Sequence, residues 1–201
     1  MFDDIILKDF WDDSDYSEEN YHSSDFTDEL LQDIENELGY KLPQSYVELM
    51  KKHNGGLVNR DCCPCDKPTS WAEDHICISG IMGVGREKEY SLCGALGSQF
   101  MIDEWEYPAI GVAICDTPSA GHDMVFLDYR ECGPNGEPCV VHVDQERNYD
   151  ITKLADSFEE FIKKLCIINK EDESQVEGLV SGGMKVTDKL LEALAKIKSN
   201  Q

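Results

Sequence analysis

The run Cys62-Cys63-Pro64-Cys65 gathers the most reactive side chains in the sequence. Three thiolates at this spacing could bind zinc, which takes four ligands, commonly as two spaced pairs. The second pair is missing nearby. His53, His75 or Cys77 would complete a set only if the fold brought one of them close. The simpler expectation is that Cys62, Cys63 and Cys65 are thiols in a loop, and no metal is predicted. The five histidines are His22, His53, His75, His122 and His142, and none lies in a motif with a nucleophile. Cys115 and His122 could meet across a turn. His53 suits a helix C-terminus, where the dipole favours it. Gly80, Gly83 and Gly85 give part of a phosphate loop, without Gly-x-Gly-x-x-Gly or Gly-Lys-Ser/Thr. Turn and bulge glycines account for them better. Carboxylates are so abundant that no single pair is informative. These residues predict no catalytic group and no cofactor, which leaves binding as the function to explain.

The charge says what could be bound. Forty-one acidic residues stand against 18 basic ones in 201, for a formal charge of −23. Such a surface repels phosphates, whose neutralisation supplies most non-specific affinity for nucleic acid. It disfavours an anionic membrane surface equally. A basic protein partner is the complementary expectation. The charge is uneven: residues 1–37 hold 14 acidic side chains and a single basic one, Lys8. Met1-Phe2-Asp3-Asp4 lacks the cationic start of a signal peptide. With nine cysteines, an odd count, a reduced cytoplasmic setting is expected.

The elements that would position these residues read as follows. Residues 1–25 are acidic with scattered aromatics and no sustained period, which predicts a loosely packed arm or an interaction tail. If that arm captures a partner, deleting it would leave the fold intact. Thr27 caps a helix whose Leu30, Leu31, Ile34 and Leu38 share one face, and Gly39 stops it. A second helix follows Leu42-Pro43 and ends at Asn54-Gly55-Gly56. Strands are expected over 76–82, 108–115, 122–129 and 139–144, with a short helix somewhere in 85–106. Ala109, Gly111 and Ala113 form a small-residue face that suits a closely packed helix. Ser157 and Glu160 have capping-box spacing ahead of Phe158, Phe161, Ile162 and Leu165. A linker and a final amphipathic helix are expected over 169–201. Helices, then strands, then helices make an α+β arrangement with a mostly antiparallel sheet. The predicted domains are an arm (1–25), a main domain (26–168) and a C-terminal extension (169–201).

The segment Glu37-Leu38-Gly39-Tyr40-Lys41-Leu42-Pro43-Gln44-Ser45-Tyr46, followed by Asn54-Gly55-Gly56, resembles the opening signature of the SUKH superfamily, the Smi/Knr-type group. Ile78-Ser79-Gly80-Ile81, residues 108–114 and 121–128, and the Ser-Phe-x-x-Phe pattern at 157–161 resemble its later strands and closing helix. The resemblance spans about residues 26–167. It implies an α+β fold with a central antiparallel sheet packed by helices. It also implies a binding role: bacterial members are regarded as immunity proteins against toxins, and eukaryotic members as regulators of cell-wall or signalling pathways. Leu38, Gly39, Leu42, Pro43, Tyr46, Asn54, Gly55 and Phe158 would then be structural signature positions.

Two functions follow as expectations. One is neutralisation of a basic, nuclease-type toxin domain, with fast association steered by charge. The other is a regulatory or scaffold module that binds cellular proteins. Exposed carboxylates on turns and strand edges are the candidate contacts: Asp103, Glu104, Glu106, Asp116 and Asp123.

Overall fold

The computed structural model describes Phe2 and residues 7–168. The elements run β1 (Trp11–Asp12), α1 (Asp15–Asn20), α2 (Asp28–Leu38), α3 (Gln44–Lys52), β2 (Gly56–Val58), β3 (Cys62–Pro64), β4 (His75–Cys77) and β5 (Gly80–Ile81). They continue with α4 (Ser98–Glu104), β6 (Gly111–Asp116), β7 (Asp123–Asp128), β8 (Cys139–Asp144), β9 (Asp150–Ala155) and α5 (Phe158–Lys164). Seven strands form one sheet in the order β1-β2-β5-β6-β7-β8-β9. Every neighbouring pair in it is antiparallel. β3 and β4 form a separate ribbon. This is the α+β architecture that the element order implied.

The helices begin and end where side chains satisfy the free backbone groups at their termini. Thr27 accepts from the Leu30 N–H, and Gly39 closes α2 at φ 78°. Ser157 accepts from the Glu160 N–H at the start of α5, and Glu160 reaches back to the Asp156 N–H. Tyr46 on α3 is fully buried, packs edge-on against Phe158 of α5, and donates its hydroxyl to the Met82 carbonyl. β6 and β7 are buried at every position, so both faces of the central sheet are covered. α4 lies against β6, where the Ala113 N–H donates to Ser98 Oγ. The small-residue face expected there is met in part: Ala113 lies by the helix, but Ala109 is exposed and a Cβ on Gly111 would meet the Leu127 carbonyl and the Tyr129 ring.

Asn54-Gly55 is a knot rather than a mere helix stop. The Asn54 side chain accepts from the Val84 N–H and donates to the Ser24 and Val84 carbonyls. Gly55 sits at φ 85°, and a Cβ there would come within 2.5 Å of the Gly83 nitrogen. Only glycine meets both conditions.

The structure corrects several expectations. Residues 10–25 are not a loose arm. Phe10 and Tyr21 are buried, Arg60 lies 5.3 Å over the Phe10 ring, and β1 extends the main sheet by pairing with β2. The scattered aromatics carry the packing of this segment, although they follow no helical or strand period. The strand expected over 76–82 is two strands in different sheets, β4 and β5, with Ile78 and Ser79 between them. β1, β2 and β3 were not anticipated, because segments of two or three residues carry no readable period; β9, although six residues long, was missed as well. The closing helix ends at Lys164, short of Ile168. The linker and final helix expected over 169–201 lie outside the described residues.

Candidate functional site

The short helix α4 and the turn after it build a corner that points outward. Asp103, Glu104 and Glu106 are all exposed there, as expected, and flank a half-buried Trp105. Gln99 holds Asp103 through a 2.8 Å hydrogen bond. Tyr149 donates its hydroxyl to the Trp105 carbonyl at 2.7 Å, and Tyr107 donates to the Gly121 carbonyl at 2.7 Å. Gly121, at φ 93°, lets the indole lie against the chain; a Cβ there would meet the ring at 3.2 Å. His122 meets the same ring edge-on. Trp105 is therefore braced, its carbonyl by Tyr149 and its ring by Gly121 and His122.

Asp116 and Asp123 are not surface carboxylates, which corrects the expectation made for them. Asp116 ends the central strand β6, is 7 % exposed, and accepts the Tyr21 hydroxyl on Oδ2 at 2.8 Å. Its Oδ1 is buried with no hydrogen-bond partner. Burial pushes this carboxyl up to about 6, against the pull of Tyr21, Ser79 and nearby backbone N–H groups. Asp123 opens β7 and is 2 % exposed. It accepts the Thr117 hydroxyl at 2.7 Å and pairs with His142 Nε2 at 2.7 Å. Burial opposes its ionisation, but hydrogen bonds from His142, Ser119 and Thr117 outweigh that and hold it below the usual range. Asp123 ties two central strands together. Strand ends look exposed in sequence, but here loops fold over them.

Beneath the Trp105 corner lies a cavity of ≈ 170 Å³. Trp105, Tyr90, Leu96, Met101 and Met124 line it together with Asp116, Thr117, Ala120 and Gly121. The register pairs Asp116 directly with Met124, which sets both at one end of the sheet. Tyr90 stacks on Tyr21 at 4.5 Å, so the aromatic wall continues to the group that holds Asp116. Sequence reasoning missed Tyr21, Tyr90 and Trp105. Their one signal was a large aromatic set among acidic residues.

The cysteines depart from expectation as well. Cys62 and Cys77 form a disulfide. They face each other across the β3–β4 ribbon, and Cys62 directs its backbone hydrogen bonds to Cys166 instead. Pairs of that kind bring side chains closest. Cys63 is a buried thiol, pushed up to about 12 by desolvation, and Cys65 is half-buried and also raised. Neither is poised as a thiolate. Cys115 and His122 do not meet: Cys115 is buried in β6 and His122 is exposed beside Trp105 and Gln145.

Among the described residues two groups set three donor atoms within 4.8 Å. Cys62, His75 and Cys77 form one, but a disulfide offers no thiolate. Glu18, His22 and His53 form the other. There His22 and His53 stack at 3.9 Å, and Trp11 stacks on His53 at 4.6 Å. Burial and the neighbouring His22 push His53 down from its usual value. This stack closes the N-terminal segment onto the end of α3. No helix among the described residues is long and apolar enough to cross a membrane.

Gly39, Leu42, Pro43, Tyr46, Asn54, Gly55 and Phe158 are caps, knots or core, and Leu38 packs against that core. No curated protein matches the chain. A family model, SUKH_6, described as SMI1-KNR4 cell-wall, matches residues 28–162. That span contains every one of these positions and most of the sheet, and the chain belongs to the SMI1-KNR4 family of the SUKH superfamily.

Proposed function

We propose that this is a non-catalytic protein-binding domain of the immunity type, which neutralises a basic, nuclease-type toxin domain by direct binding. The observation that carries the reading is the acidic corner: exposed Asp103, Glu104 and Glu106 around a Trp105 whose carbonyl accepts from Tyr149 and whose ring packs on Gly121. Tryptophan set in a rim of polar groups is a frequent centre of binding energy. The net charge of −23 adds long-range attraction to a cationic partner. Asp116 and Asp123 are too buried to serve as rim contacts.

The test is co-expression with the product of the adjacent upstream gene, scored by survival and by association of the purified pair. Protection by the wild type, with affinity weakened about tenfold or more by raising salt from about 0.05 to 0.5 M, is expected. The triple variant Asp103→Asn, Glu104→Gln, Glu106→Gln should lose most of the association rate. Protection and affinity unchanged in that variant overturn the corner as the contact surface.

The description of the matched family as cell-wall favours a second reading, a regulatory module that binds cellular proteins. Binding at the same corner without protection against any toxin would support it.

A further inference from the structure

We propose that the cavity beneath Trp105 is a socket for one cationic side chain, a lysine ammonium or an arginine guanidinium, offered by a basic partner protein. This rests on the reading of the domain as a binder of basic proteins, and it names where the key contact is made.

Three observations converge. The first is the unpaired acceptor. Asp116 Oδ1 is buried without a hydrogen-bond partner, while Oδ2 is held by Tyr21. Asp116 lines the cavity, so a donor arriving there with positive charge meets a carboxylate otherwise served by the Tyr21 hydroxyl, Ser79 and backbone N–H groups, none of them charged. The second is the wall. Trp105 and Tyr90 present aromatic surface, and Leu96, Met101 and Met124 present apolar surface. That suits the methylene stem of a long cationic side chain, with the charge attracted to the carboxylate. The third is size and charge. At ≈ 170 Å³ the cavity is well below the ~300 Å³ where pockets for drug-sized ligands begin. It fits the tip of a side chain, and Asp103, Glu104 and Glu106 stand beside the tryptophan that walls it. The carboxyl is pushed up by burial only to about 6, so it is mostly ionised at neutral pH and ready for a cation.

The probes are three capped tripeptides, acetyl-Gly-Lys-Gly-amide, acetyl-Gly-Arg-Gly-amide and acetyl-Gly-Gln-Gly-amide, with n-butylammonium as the free amine. Binding is read from the Trp105 indole N–H in two-dimensional NMR at pH 7.5. The lysine or arginine peptide should shift that signal saturably, and the glutamine peptide should not. Asp116→Asn keeps an acceptor for Tyr21 and should weaken the cationic peptide about tenfold or more. Trp105→Leu, read from Met101 and Met124 methyl signals, should weaken it similarly, and heat unfolding checks that both variants fold. Equal response to the glutamine peptide, or unchanged affinity in folded Asp116→Asn, overturns the socket. A response to n-butylammonium with none to either cationic peptide also overturns it, because the site would then take a free amine instead. A toxin bound equally well by Asp116→Asn overturns the socket and leaves the proposed function standing. Cationic peptides seated at Trp105 with no basic protein bound overturn the proposed function and leave the socket's chemistry standing.

Discussion

The Tyr21 hydroxyl donates a 2.8 Å hydrogen bond to Asp116 Oδ2 across 95 positions of sequence. One contact thereby joins the acidic N-terminal segment, the end of the central strand and the lining of the cavity under Trp105. Tyr21 reaches this place because Gly80, opposite Asp116 on β5, has no side chain; a Cβ there would lie 2.6 Å from the tyrosine ring.

Asp116 should make stability fall as pH rises through the weakly acidic range. Its folded carboxyl is raised from 3.8 to about 6, so folding favours the protonated form. Between these values the unfolded chain has released the proton and the folded chain retains it. Stability from this group is therefore greatest below the lower value, declines through the window and levels off above about 6. The swing is of the order of 3 kcal/mol. Urea unfolding of the wild type and of Asp116→Asn at pH 4.5 and 7.5 isolates it, because other carboxylates titrate in both. The variant should gain relative stability at the higher pH. An identical difference at both pH values would show that the carboxyl is not raised.

The N-terminal segment should prove essential to the fold. Phe10 is fully buried, its carbonyl accepts from the Asn59 N–H, and Trp11 pairs with Val58 at the sheet edge. Phe10→Ala should cost ~3–5 kcal/mol, as expected for a large core aromatic. Removal of residues 1–25 should leave chain that fails to fold, since it also removes Tyr21 from beside Asp116. Chemical denaturation of the point variant and circular dichroism of the truncated chain provide the measurements. A truncated chain with native spectrum and cooperative melting would contradict this.

What could be read in the sequence divides by length of element and by what covers it. The α2 caps, the α3 start and β8 show their bounds because each pairs a periodic run with a terminal Thr, Pro, Gly or Asp. β1 and β5 have two residues each and exist only because neighbouring strands recruit them. The exposure of Asp103, Glu104 and Glu106 was legible, since charged side chains favour solvent. Asp116 and Asp123 were not. Their burial is decided by Tyr21 and His142, which lie 95 and 19 positions away. Residue type favoured solvent for both, and tertiary contacts reversed it.

The Cys62–Cys77 link bears on the β3–β4 ribbon. It closes a loop of sequence separation 15. A loop of that length gives ~3 kcal/mol on chain-entropy grounds. Alkylation of protein unfolded without reductant should leave these two cysteines unmodified and label the seven others. Reductant should then lower the urea midpoint of the wild type, with little effect on Cys62→Ser, Cys77→Ser. Nine labelled cysteines before reduction would show that the pair is made of thiols, and would return Cys62, His75 and Cys77 to consideration as a metal set.

Glu106 sits at φ 58°, in the left-handed region that disfavours any residue with a Cβ. It turns the chain sharply after α4, so that Trp105 stays in the corner while Tyr107 enters the core. Glycine would adopt this conformation without the ~1–2 kcal/mol penalty of a left-handed residue, minus its own larger loss of freedom on folding. Glu106→Gly should therefore be neutral to stabilising by up to ~1 kcal/mol. Strain retained where a cheaper residue fits is expected where the side chain serves binding. The same substitution should accordingly weaken capture of a basic partner, with the loss concentrated in the association rate at low salt. Thermal unfolding and stopped-flow association measured on one preparation separate the two effects. A variant that is both less stable and unaltered in association would assign Glu106 a purely structural role.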